Sequence, residues 1–250
     1  MLAPLKPLKW YKELAGKKGR LNAGAFSVEG DRAIRQIMSV HPDEITEIIA
    51  IEEPPPAYRD YPVRLVTESQ FRNISSTKTP QGIMAVVRIP EDIYSARLPQ
   101  DAGKKILLLE DIQDPGNTGT LIRTAAAFDF SGVILTENCA DPLAPKCVQS
   151  TAGTLLSVWL RRTAQYLELV RSLRRDGYSL IAAELNGSDE SSALKQGKLL
   201  LALGNEAAGL TQAVLDEADY RLRIPTARDK AESLNVAACG AILMYLSSEI

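Results

Sequence analysis

Histidine is nearly absent from the 250 residues: His41, before Pro42 near the end of an N-terminal helix, is the single one. The usual histidine bases, triads and metal ligands are therefore missing from the rest of the chain. Cysteine is also sparse. Cys139, Cys147 and Cys239 are odd in number, scattered and without a CxxC spacing, which argues against a disulfide framework or a zinc site. They read as reduced structural thiols, and no metal is expected. Apolar runs such as Lys105–Leu109 and Leu199–Leu203 are far too short to span a bilayer. The N-terminal mixture of Lys, Leu and Pro lacks the apolar core of a signal peptide. The expectation is a cytoplasmic protein with no membrane partner. Overall positive charge is lacking too, since 29 Lys and Arg stand against 31 Asp and Glu for a net charge of −2. Any chemistry must then come from carboxylates, arginine, hydroxyls, backbone groups or a cofactor.

What is present is unevenly distributed. Residues 1–20 hold Lys6, Lys9, Lys12, Lys17, Lys18 and Arg20 against Glu13 alone. A local basic arm can neutralise phosphates even on a slightly acidic chain; the plain alternative is a solvated, frayed terminus.

Residues 1–90 read as a small α/β unit. A short helix fits Leu5–Leu14, strands fit Ala25–Val28, Ile45–Ile51, Val63–Val66 and Gly82–Ile89, and helices fit Asp31–Val40 and Glu68–Asn73, the last capped by Thr67. Residues 91–103, with mixed charge and weak periodicity, read as a linker. From residue 104 to 250 the pattern alternates. Strands are expected at Lys105–Leu109, Gly132–Leu135, Ser157–Arg161, Ser179–Ala183, Lys198–Leu203 and Tyr220–Ile224. Helices are expected at Thr118–Phe128, Pro145–Gly153, Gln165–Asp176, Thr211–Glu217 and Leu234–Ile250. Several strands are almost uninterrupted apolar runs, as when helices cover both faces, so the domain is α/β with a mostly parallel sheet. Ligands sit at the carboxyl ends of such strands.

Familiar nucleotide loops do not fit. Gly204-Asn-Glu-Ala-Ala-Gly209 has phosphate-loop glycine spacing, but Leu210 and Thr211 stand where Lys and Ser/Thr are needed. No G-x-G-x-x-G follows any strand, which disfavours a Rossmann dehydrogenase or a Rossmann-type methyltransferase.

Three strand-end strings remain. The first is Asp114-Pro-Gly-Asn-Thr-Gly-Thr-Leu-Ile-Arg123, in which Asn117 can cap the following helix. The second is Leu203-Gly-Asn-Glu-Ala-Ala-Gly-Leu210, which sets the Glu206 carboxylate beside exposed backbone N–H groups. The third is Ile224-Pro225, then Thr226–Glu232, then Ser233-Leu-Asn-Val-Ala, with Ser233 as a candidate helix cap. Each alone is explained by ordinary capping. Together, in order and spacing, they resemble the three signature motifs of the SpoU/TrmH RNA methyltransferases: N-x-G-x-x-x-R, G-x-E-x-x-G-L, and I-P followed by S-L-N-V. Ser150-Thr-Ala-Gly153 resembles the family's helix end between the first two motifs. Phe26-Ser-Val-Glu-Gly30 and Pro80-Gln-Gly-Ile-Met-Ala-Val87 resemble its N-terminal substrate-binding domain, similar to a ribosomal-protein-type RNA-binding fold. One departure stands out: Thr226-Ala-Arg-Asp-Lys230 replaces the Met and Gly common after the I-P pair, in a loop one residue longer.

The resemblance implies a SPOUT fold with a C-terminal trefoil knot, S-adenosylmethionine as cofactor, a homodimer joined at the knotted region, and methylation of a ribose 2′-hydroxyl in RNA, ribosomal RNA ahead of transfer RNA. It also leaves open a non-catalytic RNA-binding protein on the same fold. Residue by residue, it implies cofactor contacts at Leu203, Gly204, Asn205, Gly209, Ile224, Ser233 and Leu234. Asn117, Arg123, Glu206, Ser233 and Asn235 become the catalytic and substrate-positioning set, with Glu206 ordering Arg123 or the knot loop. Lys17, Lys18 and Arg20 become candidate phosphate contacts.

Overall fold

The computed structural model describes residues 6–195, 197–227, 229–230 and 233–248. Contacts divide the chain into two compact units: Met1–Pro90 with Asp141–Ser157, and Glu91–Ala140 with Val158–Ile250. Residues 91–103 thus group with the second unit, while 141–157 group with the first.

The first unit carries α1 (Leu8–Glu13), α2 (Lys17–Ala23), β1 (Ala25–Glu29), α3 (Asp31–Val40), β2 (Ile45–Ala50), β3 (Val63–Leu65), α4 (Glu68–Ile74), β4 (Ile83–Arg88) and α6 (Pro145–Thr151). Its four strands run in the order β1-β4-β2-β3. The two segments singled out by resemblance lie side by side, with Phe26 opposite Val87 and Val28 opposite Ala85 in an antiparallel pair. Thr67 caps α4 in a full capping box with Gln70. Tyr11, Leu14, Ile49, Phe71 and Met84 are buried together as its core. Leu5, the expected start of the first helix, lies outside the described residues.

α2 was not expected. The basic stretch is a helix closed by Gly24 in the left-handed conformation, the residue that accepts it at least cost. This corrects the reading of Arg20 as a phosphate contact. Arg20 is only 3% exposed. Its guanidinium donates to the Leu14 and Ala15 carbonyls at 3.1 and 2.9 Å and meets Asp141 at 2.6 Å. Lys17 and Lys18 are exposed.

The second unit holds β5 (Lys105–Leu109), α5 (Pro115–Ala127), β6 (Gly132–Leu135), β7 (Trp159–Arg162), α7 (Tyr166–Arg175), β8 (Ser179–Ser188), β9 (Leu199–Leu203), α8 (Gln212–Glu217), β10 (Tyr220–Leu222) and α9 (Val236–Ser247). Its six strands run in the order β10-β8-β9-β5-β6-β7, all parallel. From β5 the chain steps outward to β6 and β7, then returns to β8 and β9 on the other side. The order therefore reverses between β5 and β9, the kind of switch point where open α/β sheets bind ligands at strand carboxyl ends.

The β8–β10 ladder is broken: Arg221 pairs with Ala182, but Leu222 pairs with Ser188. Residues 183–187 make an excursion between those pairings. Gly187 permits the crossing, because a Cβ there would lie 2.6 Å from the backbone of Arg221. Irregularities of this kind re-aim side chains beside functional sites.

Two helix starts differ from expectation. α5 begins three residues early, with Asp114 as its cap: the Asp114 carboxylate accepts from the Asn117 backbone N–H at 2.8 Å. Pro115, whose fixed φ suits the first helical position, sets that start. α9 is capped by Asn235, not Ser233; the Asn235 side chain accepts from the Ala237 and Ala238 N–H groups. Residues 228, 231 and 232 of the expected long loop, and the last two residues of the expected final helix, lie outside the described residues. Among the described residues, no helix is long and apolar enough to cross a membrane.

Candidate active site

The β9 segment enters its loop at Gly204. A Cβ on Gly204 would lie 2.3–2.4 Å from backbone atoms of Gly209 and Leu210, so only glycine lets the loop double back this tightly. Asn205 and Gly209 exchange both backbone hydrogen bonds, closing the loop. The Asn205 side chain accepts from the Ala207 and Ala208 N–H groups and donates to the Asp111 carbonyl at 2.9 Å. Asp111 adopts φ 57°, a conformation that Asp and Asn tolerate better than other side chains. The β9 loop is thereby tied to the end of β5.

The β5, β9 and α9 loops then meet through side chains. Asn117 Nδ2 donates to Glu206 Oε1 at 2.7 Å, and Asn235 Nδ2 donates to Asn117 Oδ1 at 3.2 Å. Sequence separations of 89 and 118 residues are bridged by these two bonds. Because Asp114 caps α5, the Asn117 side chain is free for this role. Arg123 is not drawn into the cluster. It lies six positions along α5 from Asn117, roughly 9 Å of helical rise and on a different stripe of the helix. It is exposed and has no hydrogen-bond or ion-pair partner among the described residues. Of the two expectations for Glu206, ordering Arg123 or ordering the knot loop, the first is corrected: Glu206 holds Asn117.

Beside the cluster is a cavity of about 400 Å³, a size typical of small-molecule sites. Leu203, Gly204, Asn205 and Gly209 line it from the β9 loop, Ile224 from the end of β10, and Ser233 and Leu234 from the approach to α9. Glu206 is in the lining as well. Sequence reading missed several contributors, among them residues 183–186 from the β8 excursion and Cys239 one turn into α9. The signal for the former was the switch from apolar residues to Glu184-Leu-Asn-Gly at a strand's carboxyl end. Burial pushes the Cys239 thiol up to about 11, so it stays neutral near pH 7.

Chemically, the cavity joins an apolar body, with Leu203, Leu210, Leu222 and Val236, to acidic edges at Glu184 and Glu206. Among the described residues, the cation nearest Glu184 is Arg221 at 3.8 Å, beyond hydrogen-bond reach. The Arg223 guanidinium reaches Asp189 at 3.4 Å. Such a lining suits a ligand with a flat apolar base, backbone-readable edges and positive charge.

Residues 104–245 match the family model described as the SpoU rRNA methylase family, and residues 6–85 match an MRM3-like substrate binding domain. The chain belongs to the SpoU rRNA methylase family. Among curated relatives of this SpoU protein, a Bacillus subtilis 23S rRNA (guanosine(2553)-2′-O)-methyltransferase, RlmP, is 32% identical over 95% of this chain and 94% of its own length. Among solved structures, a TrmH-family putative RNA methyltransferase from Porphyromonas gingivalis superposes with TM-score 0.80 at 30% identity, covering 98% of this chain and 99% of its own. The SpoU methyltransferase AviRb from Streptomyces viridochromogenes, solved with the cofactor AdoMet, gives TM-score 0.81 at 26% identity over 96% of both chains. S-adenosylmethionine, the cofactor of SpoU methyltransferases, matches the cavity's size, its apolar body and its acidic edges.

Proposed function

We propose that this protein transfers a methyl group from S-adenosylmethionine to a ribose 2′-hydroxyl of ribosomal RNA. The observation that carries the reading is the hydrogen-bonded chain Asn235–Asn117–Glu206, which gathers three distant loops at the rim of a cavity suited to the cofactor. Leu203, Gly204, Asn205, Gly209, Ile224, Ser233 and Leu234 hold the cofactor, largely through backbone groups in an apolar setting. When bound, the cofactor supplies an electrophilic methyl group on a sulfonium.

The protein's own part is alignment. Asn117, Glu206 and Asn235 fix the rim so that the hydroxyl approaches along one line, and Ser233 joins them in positioning the substrate. Arg123 projects to solvent from α5, where it holds the neighbouring phosphate and stabilises charge developing on the ribose oxygen. Its role is that of a cation, whose planar fork of N–H donors suits phosphate and a developing alkoxide.

The first unit serves as the RNA-binding domain, and the second, which takes in residues 91–103, as the catalytic domain with the family's trefoil knot. Lys17 and Lys18 supply phosphate contacts. A second copy of the chain covers α9, supported by that helix's composition: Val236, Leu243 and Met244 are buried, while Ile242, Tyr245 and Leu246 are exposed apolar residues on the remaining surface. A helix apolar on all sides is buried on all sides. The cytoplasm is the compartment where this RNA is met.

Transfer of tritium from methyl-labelled cofactor to total RNA tests the reading, with alkali-resistant label at one ribose of ribosomal RNA as the expected result. Label confined to transfer RNA would move the substrate. Binding of RNA with no label would leave a non-catalytic RNA-binding protein.

A further inference from the structure

Glu110, at the carboxyl end of β5, is a carboxylate only 1% exposed, and the methyl-transfer reading gives it no task. Three donors converge on it: the Tyr166 hydroxyl at 2.6 Å, the Thr211 backbone N–H at 2.7 Å and the Thr211 hydroxyl at 2.7 Å. Its own N–H donates to the Leu203 carbonyl at 2.9 Å.

The Thr211 contact is unusual. Thr211 occupies the N-cap of α8 yet makes no side-chain cap bond. Threonine at that position ordinarily satisfies a helix N–H with its hydroxyl, a contribution of about 1 kcal/mol. Here the hydroxyl turns away from the helix to Glu110. Thr211 directly follows Leu210, the last residue of the cavity-lining β9 loop. The loop's entry is bound to the residue after Glu110, through Asn205 Nδ2 and the Asp111 carbonyl. Two consecutive residues at one strand end thus hold both ends of the 204–210 loop.

We infer that Glu110 is a positioning residue for the methyl-donor site: it acts through Thr211 to set the shape of the 204–210 loop. The inference rests on the reading of that cavity as the S-adenosylmethionine site. Glu110 touches no substrate. It fixes where Gly209 and Leu210 present their backbone groups, and so how tightly the donor is held.

Two conservative variants separate positioning from bulk stability, because each removes one donor from the same carboxylate oxygen. Thr211→Val deletes the loop-side hydroxyl while keeping volume and the backbone N–H. Tyr166→Phe deletes the hydroxyl on the α7 side. Glu110→Gln turns an acceptor into a group whose amide faces donors. Affinity for S-adenosylhomocysteine is read by calorimetry, and backbone amide exchange over residues 205–211 is read in the ligand-free chain. Thr211→Val should weaken binding about tenfold, the effect of losing one hydrogen bond to a charged group, with faster exchange at Gly209–Thr211. Glu110→Gln should do at least as much. Tyr166→Phe should lower the melting temperature with binding and loop exchange unchanged. If Thr211→Val and Glu110→Gln lower only the melting temperature, with affinity and loop exchange at wild-type values, Glu110 is a core strut and the inference is overturned. A wild-type chain that binds no S-adenosylhomocysteine would sink the functional reading instead, and amide exchange in the free chain would still judge Glu110.

Discussion

Asn117 and Glu206 meet through a single side-chain hydrogen bond of 2.7 Å, Nδ2 to Oε1, and that bond sets the polarity of everything beyond it. A carboxylate can only accept, so Asn117 must turn its nitrogen toward Glu206 and its oxygen toward Asn235. Asn235 must then present its nitrogen to Asn117, leaving its own oxygen for the Ala237 and Ala238 N–H groups that begin α9. One residue caps the last helix and closes the rim.

These two duties of Asn235 are separable. Asn235→Ala removes both, so thermal stability should fall by about 1 kcal/mol, the usual loss of a cap, and methyl transfer should collapse. Asn235→Asp keeps a capping oxygen, favoured at a helix N-terminus, but turns an acceptor toward the Asn117 oxygen. Its melting temperature should equal or exceed that of the wild type while turnover drops at least tenfold, the order expected for one misplaced hydrogen bond. Wild-type turnover in Asn235→Asp would remove the rim's polarity from the mechanism.

Arg123 makes a different prediction because it is exposed and unpartnered among the described residues. Arg123→Ala should fold normally and bind S-adenosylhomocysteine as the wild type does, yet lose about 10²–10³ in turnover, as when one electrostatic stabiliser is deleted. Arg123→Lys keeps the charge without the planar fork, so it should recover part of that loss. A pH–rate profile of the Lys variant that rises through the lysine range would instead point to a base at this position.

The sequence carried the alternation of apolar strands and helices, and the sheet is parallel as that alternation predicts. It carried the strand-end loops, since glycines and polar residues interrupt apolar runs there. It did not decide which polar residue caps each helix. Asp114 and Asn117 are both good caps, and so are Ser233 and Asn235; the choice depends on Pro115 for one and on the partner 118 residues away for the other. The polar switch at Glu184-Leu-Asn-Gly marked the end of the apolar part of β8, but not the shifted pairing of β10 on either side of it.

Arg20 and its lysine neighbours show the same limit, and they yield opposite predictions. Nothing near Arg20 in sequence announces Asp141, 121 residues on, with which it forms a buried pair at 2.6 Å. Arg20→Ala strands that carboxylate and two carbonyls, so the first unit should lose about 3–5 kcal/mol, read as an early transition in chemical denaturation. The double variant Lys17→Ala/Lys18→Ala should weaken RNA binding. The slope of log affinity against log salt should become shallower by about 0.7–0.9 for each phosphate that is no longer neutralised. An unchanged slope would clear both lysines of any role on the RNA.

Cys239 offers a test that needs no RNA. This residue lines the cavity, and burial raises its thiol from 9.0 to about 11. Thiolate is the reactive form, so at pH 8 the native chain should label at Cys239 far more slowly than a free thiol does. The rate should climb only as pH approaches 11 or as the chain unfolds. The linked stability has a definite sign: a folded pKa raised above the unfolded one stabilises the fold fully below pH 9.0, and that contribution is lost as pH rises through about 11. Binding of S-adenosylhomocysteine should slow labelling further by filling the space beside the sulfur. Peptide-resolved mass spectrometry of alkylated protein reads all three effects, and fast modification of Cys239 at pH 8, indifferent to the ligand, would place this sulfur outside the donor site.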